Sequence, residues 1–293
     1  MSGAIDSGSK EPCIGLIAGS GILPELIVQA VRKQLSCRVV IVAHRDETDP
    51  GIAELADSVE WVRLGQFKKA LAFLQRQRVT DAVFAGGITK VKIWSARPDT
   101  LALKLILRLR HLHDDLLLRA IAGEVEKLGI TVKAVKEFVP DLLSPTGVLT
   151  KRHPTPEEWQ EILFGWEAAK GLGRLDIGQG VVVHRKIVVA VEAIEGTDAM
   201  IARAGGLISK DGVLVKVAKP GQDHRLDLPA TGSRTVRGMH EAGISVLALE
   251  AGSSMMLDPD TMLQEANRYG IAIVGIKADC DDQAIIDEQM TAC

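Results

Sequence analysis

The sequence predicts an α/β protein of two domains: an N-terminal Rossmann-like parallel sheet over 1–139, a linker over 140–154, and a C-terminal α/β domain with a mixed sheet over 155–293. Three observations lead there. In the first half, Val- and Ile-rich runs alternate with helical periods of about 10–15 residues, the pattern of right-handed βαβ units. Pro140, Pro145 and Pro154, with Ser144, Thr146, Gly147 and Thr150, then break that rhythm. Finally, 293 residues are enough for each half to bury its own core.

The elements follow in order. Residues 13–18, 38–43 and 81–85 read as strands, with helices at 24–35 and 65–78 between them. Two more helices, 101–112 and 113–129, precede a strand at 130–135, and Gly129 takes the C-cap position of the second. Residues 155–171 form a well-signalled helix: Thr155 caps it, Pro156 opens it, and Glu157 and Glu158 complement its dipole. Strands at 180–184 and 186–193 form a hairpin around Arg185. Three more strands at 213–218, 245–250 and 271–276 alternate with helices at 198–204, 235–242 and 259–269.

Composition removes several classes of function. The chain has 35 Lys and Arg against 38 Asp and Glu, interleaved, so no basic footprint for nucleic acid exists. Five Phe, four Trp and one Tyr supply no stacking platform either. The most apolar stretch, 101–118, carries Lys104, Arg108, Arg110, Asp114 and Asp115, and each charge in hydrocarbon costs about 2.5–3.5 kcal/mol. No membrane span is expected. The polar start, 1–12, is neither a signal peptide nor an anchor, which points to the cytoplasm. Cys13, Cys37, Cys280 and Cys293 form no close pair, as suits reduced thiols. Motifs of serine hydrolases, zincins and P-loop enzymes are absent, and the seven histidines are dispersed.

Four stretches carry chemistry. Gly19-Ser20-Gly21 with Pro24 lies where the first strand turns into a helix, where free N–H groups and the dipole favour an anion such as a diphosphate. It lacks the third glycine of the dinucleotide fingerprint, and a plain tight turn is the alternative. Gly86-Gly87 ends the strand at 81–85 in the same way, so a parallel sheet would bring both turns to one carboxyl edge. Lys90 and Lys92 follow as candidates to reach a phosphate, with a solvated lysine pair on a loop as the alternative. Glu192, Glu195 and Asp198, around Gly196 and Thr197, put three carboxylates in seven residues, which asks for a divalent cation or a basic cluster. The alternative is an acidic first turn with solvated glutamates.

The densest polar stretch is Lys216-Val217-Ala218-Lys219-Pro220-Gly221-Gln222-Asp223-His224-Arg225-Leu226-Asp227-Leu228-Pro229. Read as an extended segment, its period of two puts Asp223, Arg225 and Asp227 on one side. Carboxylates suit Mg²⁺ and arginine suits a bidentate phosphate grip, with a structural salt-bridged loop as the alternative. Thr231-Gly232 offers a further glycine turn into a helix start. The helix at 101–112 carries Lys104, Arg108 and His111 on one stripe and Leu101, Leu105, Leu109 and Leu112 on the other. Such a helix serves as core, dimer contact or membrane-surface contact.

These motifs, with Arg174-Leu175-Asp176-Ile177-Gly178-Gln179-Gly180, resemble the LpxI family, the UDP-2,3-diacylglucosamine pyrophosphatases of Gram-negative lipid A synthesis, over nearly the whole chain. The resemblance implies two α/β domains holding the substrate between them. It also implies Mg²⁺-assisted hydrolysis of UDP-2,3-diacylglucosamine to UMP and 2,3-diacylglucosamine 1-phosphate (lipid X), with attack at the sugar-side phosphorus. A diphosphate repels nucleophiles until its charge is neutralised. The expected catalytic residues are therefore Asp227, Asp223, Arg225, Lys219 and Gln222, the expected metal ligands Asp198 and Asp227, and the expected substrate contacts Gly19, Ser20, Gly21, Gly86, Gly87, Glu195, Gly196, Thr197, Thr231 and Gly232. A homodimer and a transient contact with the inner-membrane surface go with that substrate. Two other readings stay open: a nucleotide-sugar or NAD-dependent Rossmann enzyme, whose ribose-binding acid would be Asp46 or Glu47, and a non-catalytic nucleotide-sugar binding protein.

Overall fold

The computed structural model describes residues 12–88, 98–108 and 114–277. Lys90, Lys92, Leu109, His111, Leu112, His113, Cys280 and Cys293 lie outside them. The described residues form two compact units, 12–88 with 98–108 and 116–138, and 114–115 with 139–277.

The first unit is a five-stranded, wholly parallel sheet: β1 (Cys13–Ala18), β2 (Arg38–His44), β3 (Ser58–Val62), β4 (Asp81–Ala85) and β5 (Thr131–Lys133). Its order is β3-β2-β1-β4-β5, the first five strands of the doubly wound arrangement, with the reversal between β1 and β4. Strands covered on both faces read as unbroken apolar runs, and β2 obliges with Val39, Val40, Ile41, Val42 and Ala43 all buried. Helices α1 (Leu23–Gln34), α2 (Phe67–Arg76), α3 (Thr100–Arg108) and α4 (Asp114–Glu126) connect or follow the strands. β3 went unread in the sequence because Glu60 stands in its middle. It is an edge strand, half-buried along most of its length, and Glu60 faces Lys69 at 2.7 Å. On α3, Leu105 of the expected apolar stripe is buried and Leu101 half-buried, Ala102 is buried beside them, and Leu103 and Leu107 are exposed.

The second unit is a six-stranded mixed sheet of order β6-β13-β11-β9-β7-β8: β6 (Gly147–Val148), β7 (Gly180–His184), β8 (Ile187–Val191), β9 (Gly212–Lys216), β11 (Ile244–Glu250) and β13 (Ala272–Ile276). β9, β11 and β13 run parallel, while β7 and β8 form the antiparallel hairpin predicted around Arg185. A small parallel pair, β10 (Ala230–Thr231) and β12 (Met255–Met256), stands apart. Alternate side chains leave opposite faces. Val213, Val215, Val246 and Ala248 pack under Trp159 and Ile162 of α5 (Pro156–Arg174). Leu214, Leu247 and Leu249 pack against Met200, Met239 and Met262 of α6 (Thr197–Gly205), α7 (Ser233–Glu241) and α8 (Pro259–Tyr269). Thr155 and Glu158 close a reciprocal capping box on α5.

Residues 140–154, expected as a linker, hydrogen-bond into this second sheet. The Leu149 amide donates to Ile273, Thr150 Oγ1 accepts the Ile273 amide, and β6 pairs with β13. Among the described residues, no helix is long and apolar enough to cross a membrane.

Candidate active site

In the first unit, β1, β2 and β4 end level, with Ala18 opposite both Ala43 and Ala85. The two glycine turns meet there, as a parallel sheet requires. Their amides, however, pair with each other. Ser20 donates to Gly87 O at 2.7 Å, Gly87 to Ser20 O at 3.2 Å, and Gly19 to Ala85 O at 2.8 Å. The glycines are explained by this backbone approach: a Cβ on Gly19 would sit 2.3 Å from Gly87 O, and one on Gly86 2.4 Å from Ser20 O. Gly21 remains exposed beside the α1 N-terminus. His44 Nδ1 and Thr48 Oγ1 both bond to the Ala18 carbonyl, and burial lowers the His44 pKa against the opposing pull of that bond. Because backbone atoms cannot give way as side chains can, Gly19→Ala should cost about 3 kcal/mol, read as a lowered urea midpoint.

In the second unit, the antiparallel and parallel pairings bring the ends of β8, β9 and β11 and the start of β7 to one edge, with Lys216 opposite both Gly180 and Leu249. Among the described residues five charged side chains are buried, and four of them, Glu192, Lys216, Lys219 and Glu250, lie at this edge. Buried charges must be paired, and these are. Lys216 Nζ donates to Thr197 Oγ1 and stands 3.8 Å from Glu192 Oε1, which also accepts from Thr197 at 2.6 Å. Lys219 Nζ meets Asp176 Oδ1 at 2.5 Å. The motif around Asp176 folds tightly under the next strand: a Cβ on Gly178 would fall 1.9 Å from Glu192 O.

The 219–227 stretch is not extended. Gln222 N–H bonds back to Lys219 O, and Leu226 N–H to Asp223 O, so two successive turns replace the expected period of two. Asp223 drives the second turn by accepting the Arg225 amide on its own carboxylate, a local competitor to strand formation. The expected partners still meet by another route. The Arg225 guanidinium folds back on Asp223 at 2.8 Å, and Gln222 Nε2 donates to Asp227 Oδ2 at 3.0 Å while its Oε1 accepts the Lys219 amide. Asp227 is exposed, and Gln222 and Lys219 are buried beneath it.

The remaining expected residues are placed differently. Asp198, in the first turn of α6, pairs with Arg234 at 2.9 Å, both largely exposed, an attachment worth little and easily exchanged. Glu195 pairs with Arg203 at 2.7 Å, and its own backbone amide, then Arg203, lower its pKa. Thr231 and Gly232 lead into α7, but that helix start already holds an anion: Asp258 accepts the Ser233 amide at 2.8 Å and the Ser233 hydroxyl. Among the described residues, no three His, Cys, Asp or Glu side chains group to hold a metal alone. The exposed Asp227 carboxylate suits Mg²⁺ in the mode in which one or two carboxylates and substrate phosphates share the ion with water.

Sequence reasoning assigned no role to Asp176, Lys216, Glu250 or Asp115, whose Oδ1 accepts the Asp223 amide at 3.0 Å. A signal existed for Lys216 and Glu250. Each ends a buried apolar run at the carboxyl edge, where open α/β sheets hold their ligands.

Comparisons with known proteins identify the family. The LpxI N-terminal domain model matches residues 13–142 and the LpxI C-terminal domain model residues 145–274. The UDP-2,3-diacylglucosamine pyrophosphatase LpxI of Caulobacter vibrioides is 33% identical over 275 residues, 90% of this chain and 97% of that protein. The bifunctional purine biosynthesis protein PurH of Anoxybacillus flavithermus is 29% identical over 127 residues, 43% of this chain and 22% of that protein. Among solved structures, a biotin carboxylase complex from Campylobacter jejuni matches with a TM-score of 0.27 and 11% identity, covering 67% of this chain and 43% of that one. With both domain models matched in order and a relative aligned along nearly its whole length, the chain belongs to the LpxI family.

Proposed function

We propose that this protein hydrolyses the diphosphate bond of UDP-2,3-diacylglucosamine, releasing UMP and 2,3-diacylglucosamine 1-phosphate. The observation that carries this reading is the concentration of paired charges at one sheet edge, topped by Asp227, in a member of this family. Water adds to one phosphorus, the bridging P–O bond breaks, and the departing phosphate keeps the bonding pair. Lys219 and Arg225 lower the repulsion by facing phosphoryl oxygens, and Arg225 can exchange Asp223 for a phosphate because its pair is partly exposed. Asp227 positions the attacking water, and Gln222 holds the Asp227 carboxylate in place. Mg²⁺, held by Asp227 and by Asp198 on release from Arg234, would supply charge neutralisation when bound.

The test is UMP release from UDP-2,3-diacylglucosamine with and without Mg²⁺. Turnover that collapses with chelator and returns with Mg²⁺ is expected, and absence of UMP in both conditions overturns the proposal. Running the reaction in ¹⁸O-water locates the attack: label is expected in the sugar phosphate, and label in UMP would place it on the other phosphorus. The reading includes a homodimer and a transient membrane-surface contact, both accessible to sedimentation with and without anionic vesicles.

A further inference from the structure

We infer that Glu250 and Lys170, which lie outside every motif of the site, are positioning residues that aim the 219–227 loop. Both side chains hold the backbone of Ala218. β9 ends at Lys216, and Val217 N–H still reaches Gln179 O at 2.9 Å, but Ala218 has left the sheet. Ala218 is only 2% exposed, so water cannot satisfy its N–H and C=O, and buried backbone groups need partners. Both partners are side chains. Glu250 Oε2, at the end of β11, accepts the Ala218 N–H at 2.8 Å, and Lys170 Nζ, on α5, donates to the Ala218 carbonyl at 3.0 Å. The two side chains join each other at 2.6 Å, and Lys170 also stands over the Trp166 ring at 5.3 Å.

A buried ion pair is a poor source of stability compared with apolar residues of the same volume. Here it does what apolar residues cannot: it holds the N–H and the C=O of one residue, and so two successive peptide groups, from two different elements. The next residue is Lys219, whose Nζ meets Asp176 and whose N–H is held by Gln222. A peptide pinned at residue 218 therefore sets the direction in which Lys219, Gln222 and, through Gln222, Asp227 leave the sheet. Misplacement of such groups by about 1 Å costs on the order of 10²-fold in rate.

The activity arm of the test rests on the proposed hydrolysis, and the exchange arm does not. Glu250→Gln keeps the shape and an acceptor oxygen but removes the negative charge that holds Lys170, whose ammonium bonds to the same Oε2 as the Ala218 N–H. Expected are a kcat lowered about 10- to 100-fold with KM within about threefold. Amide hydrogen exchange over 219–227 should be at least about tenfold faster, with strands 212–216 and 244–249 unchanged. Lys170→Gln should do the same and carries the test where E250Q does not fold, while the double variant should be no slower than the worse single one, since both act on the backbone of one residue, Ala218. Met239→Ala, in the opposite core, controls for simple destabilisation: it should lower Tm and leave loop exchange and kcat alone. Wild-type exchange in the loop of both single variants overturns the inference, as does a wild-type kcat in both with only Tm lowered. A wild-type enzyme that releases no UMP strikes the proposed function instead, and the exchange measurement then decides the positioning by itself.

Discussion

Asp227→Ala should lower UMP release by about 10³-fold or more while the unfolding midpoint barely moves, because Asp227 is an exposed loop residue and such positions contribute within about 0.5 kcal/mol to stability. The effect on rate follows from the position of its charge. Gln222 Nε2 donates to Asp227 Oδ2 at 3.0 Å, and Gln222 is itself anchored because its Oε1 accepts the Lys219 amide. A carboxylate held by an anchored amide has a fixed direction, which suits it to orient water. Asp227→Asn separates the contributions, since it keeps an oxygen for Gln222 and removes only the charge. Retention of more than about a tenth of wild-type turnover by both variants would remove Asp227 from the mechanism.

Lys219→Met should fail in two ways at once. Its ammonium lies buried against Asp176, and taking one partner from a buried ion pair costs about 3 kcal/mol, visible as a lowered urea midpoint. The same substitution removes a cation proposed to face the diphosphate, so turnover should fall by about 10²-fold or more, measured well below the new midpoint. The two losses separate in the double variant. Asp176 has φ of 53°, a left-handed conformation that Asn tolerates, so Asp176→Asn with Lys219→Met neutralises the pair without straining the turn. Stability should return and activity should not. If both return, Lys219 serves the fold alone.

Much of the scaffold was legible along the chain. Strands at 13–18, 81–85 and 180–184 match the structure residue for residue, as does the Thr155 cap, because apolar runs and capping chemistry act over a few neighbours. Legibility failed where a neighbour in space decides. β3 is a strand because β2 offers it an edge, despite Glu60, and β6, β10 and β12 are two-residue pairings with no periodicity to read. The glycine pairs were correctly brought to one carboxyl edge, yet their amides pair with each other. At the start of α7, Asp258 supplies the anion that a ligand was expected to bring.

By itself, the sequence determined the α/β class, the crossover rhythm of the first unit, the β7–β8 hairpin, and the residue types for which diphosphate chemistry is proposed. Only the tertiary structure decided which charge meets which. Lys219 pairs with Asp176 across 43 positions and Lys170 with Glu250 across 80. No local spacing encodes those separations. They arise because β9, β11 and the hairpin end at one sheet edge, where low exposure makes an unpaired charge too costly and every buried ion must find the partner that the topology delivers.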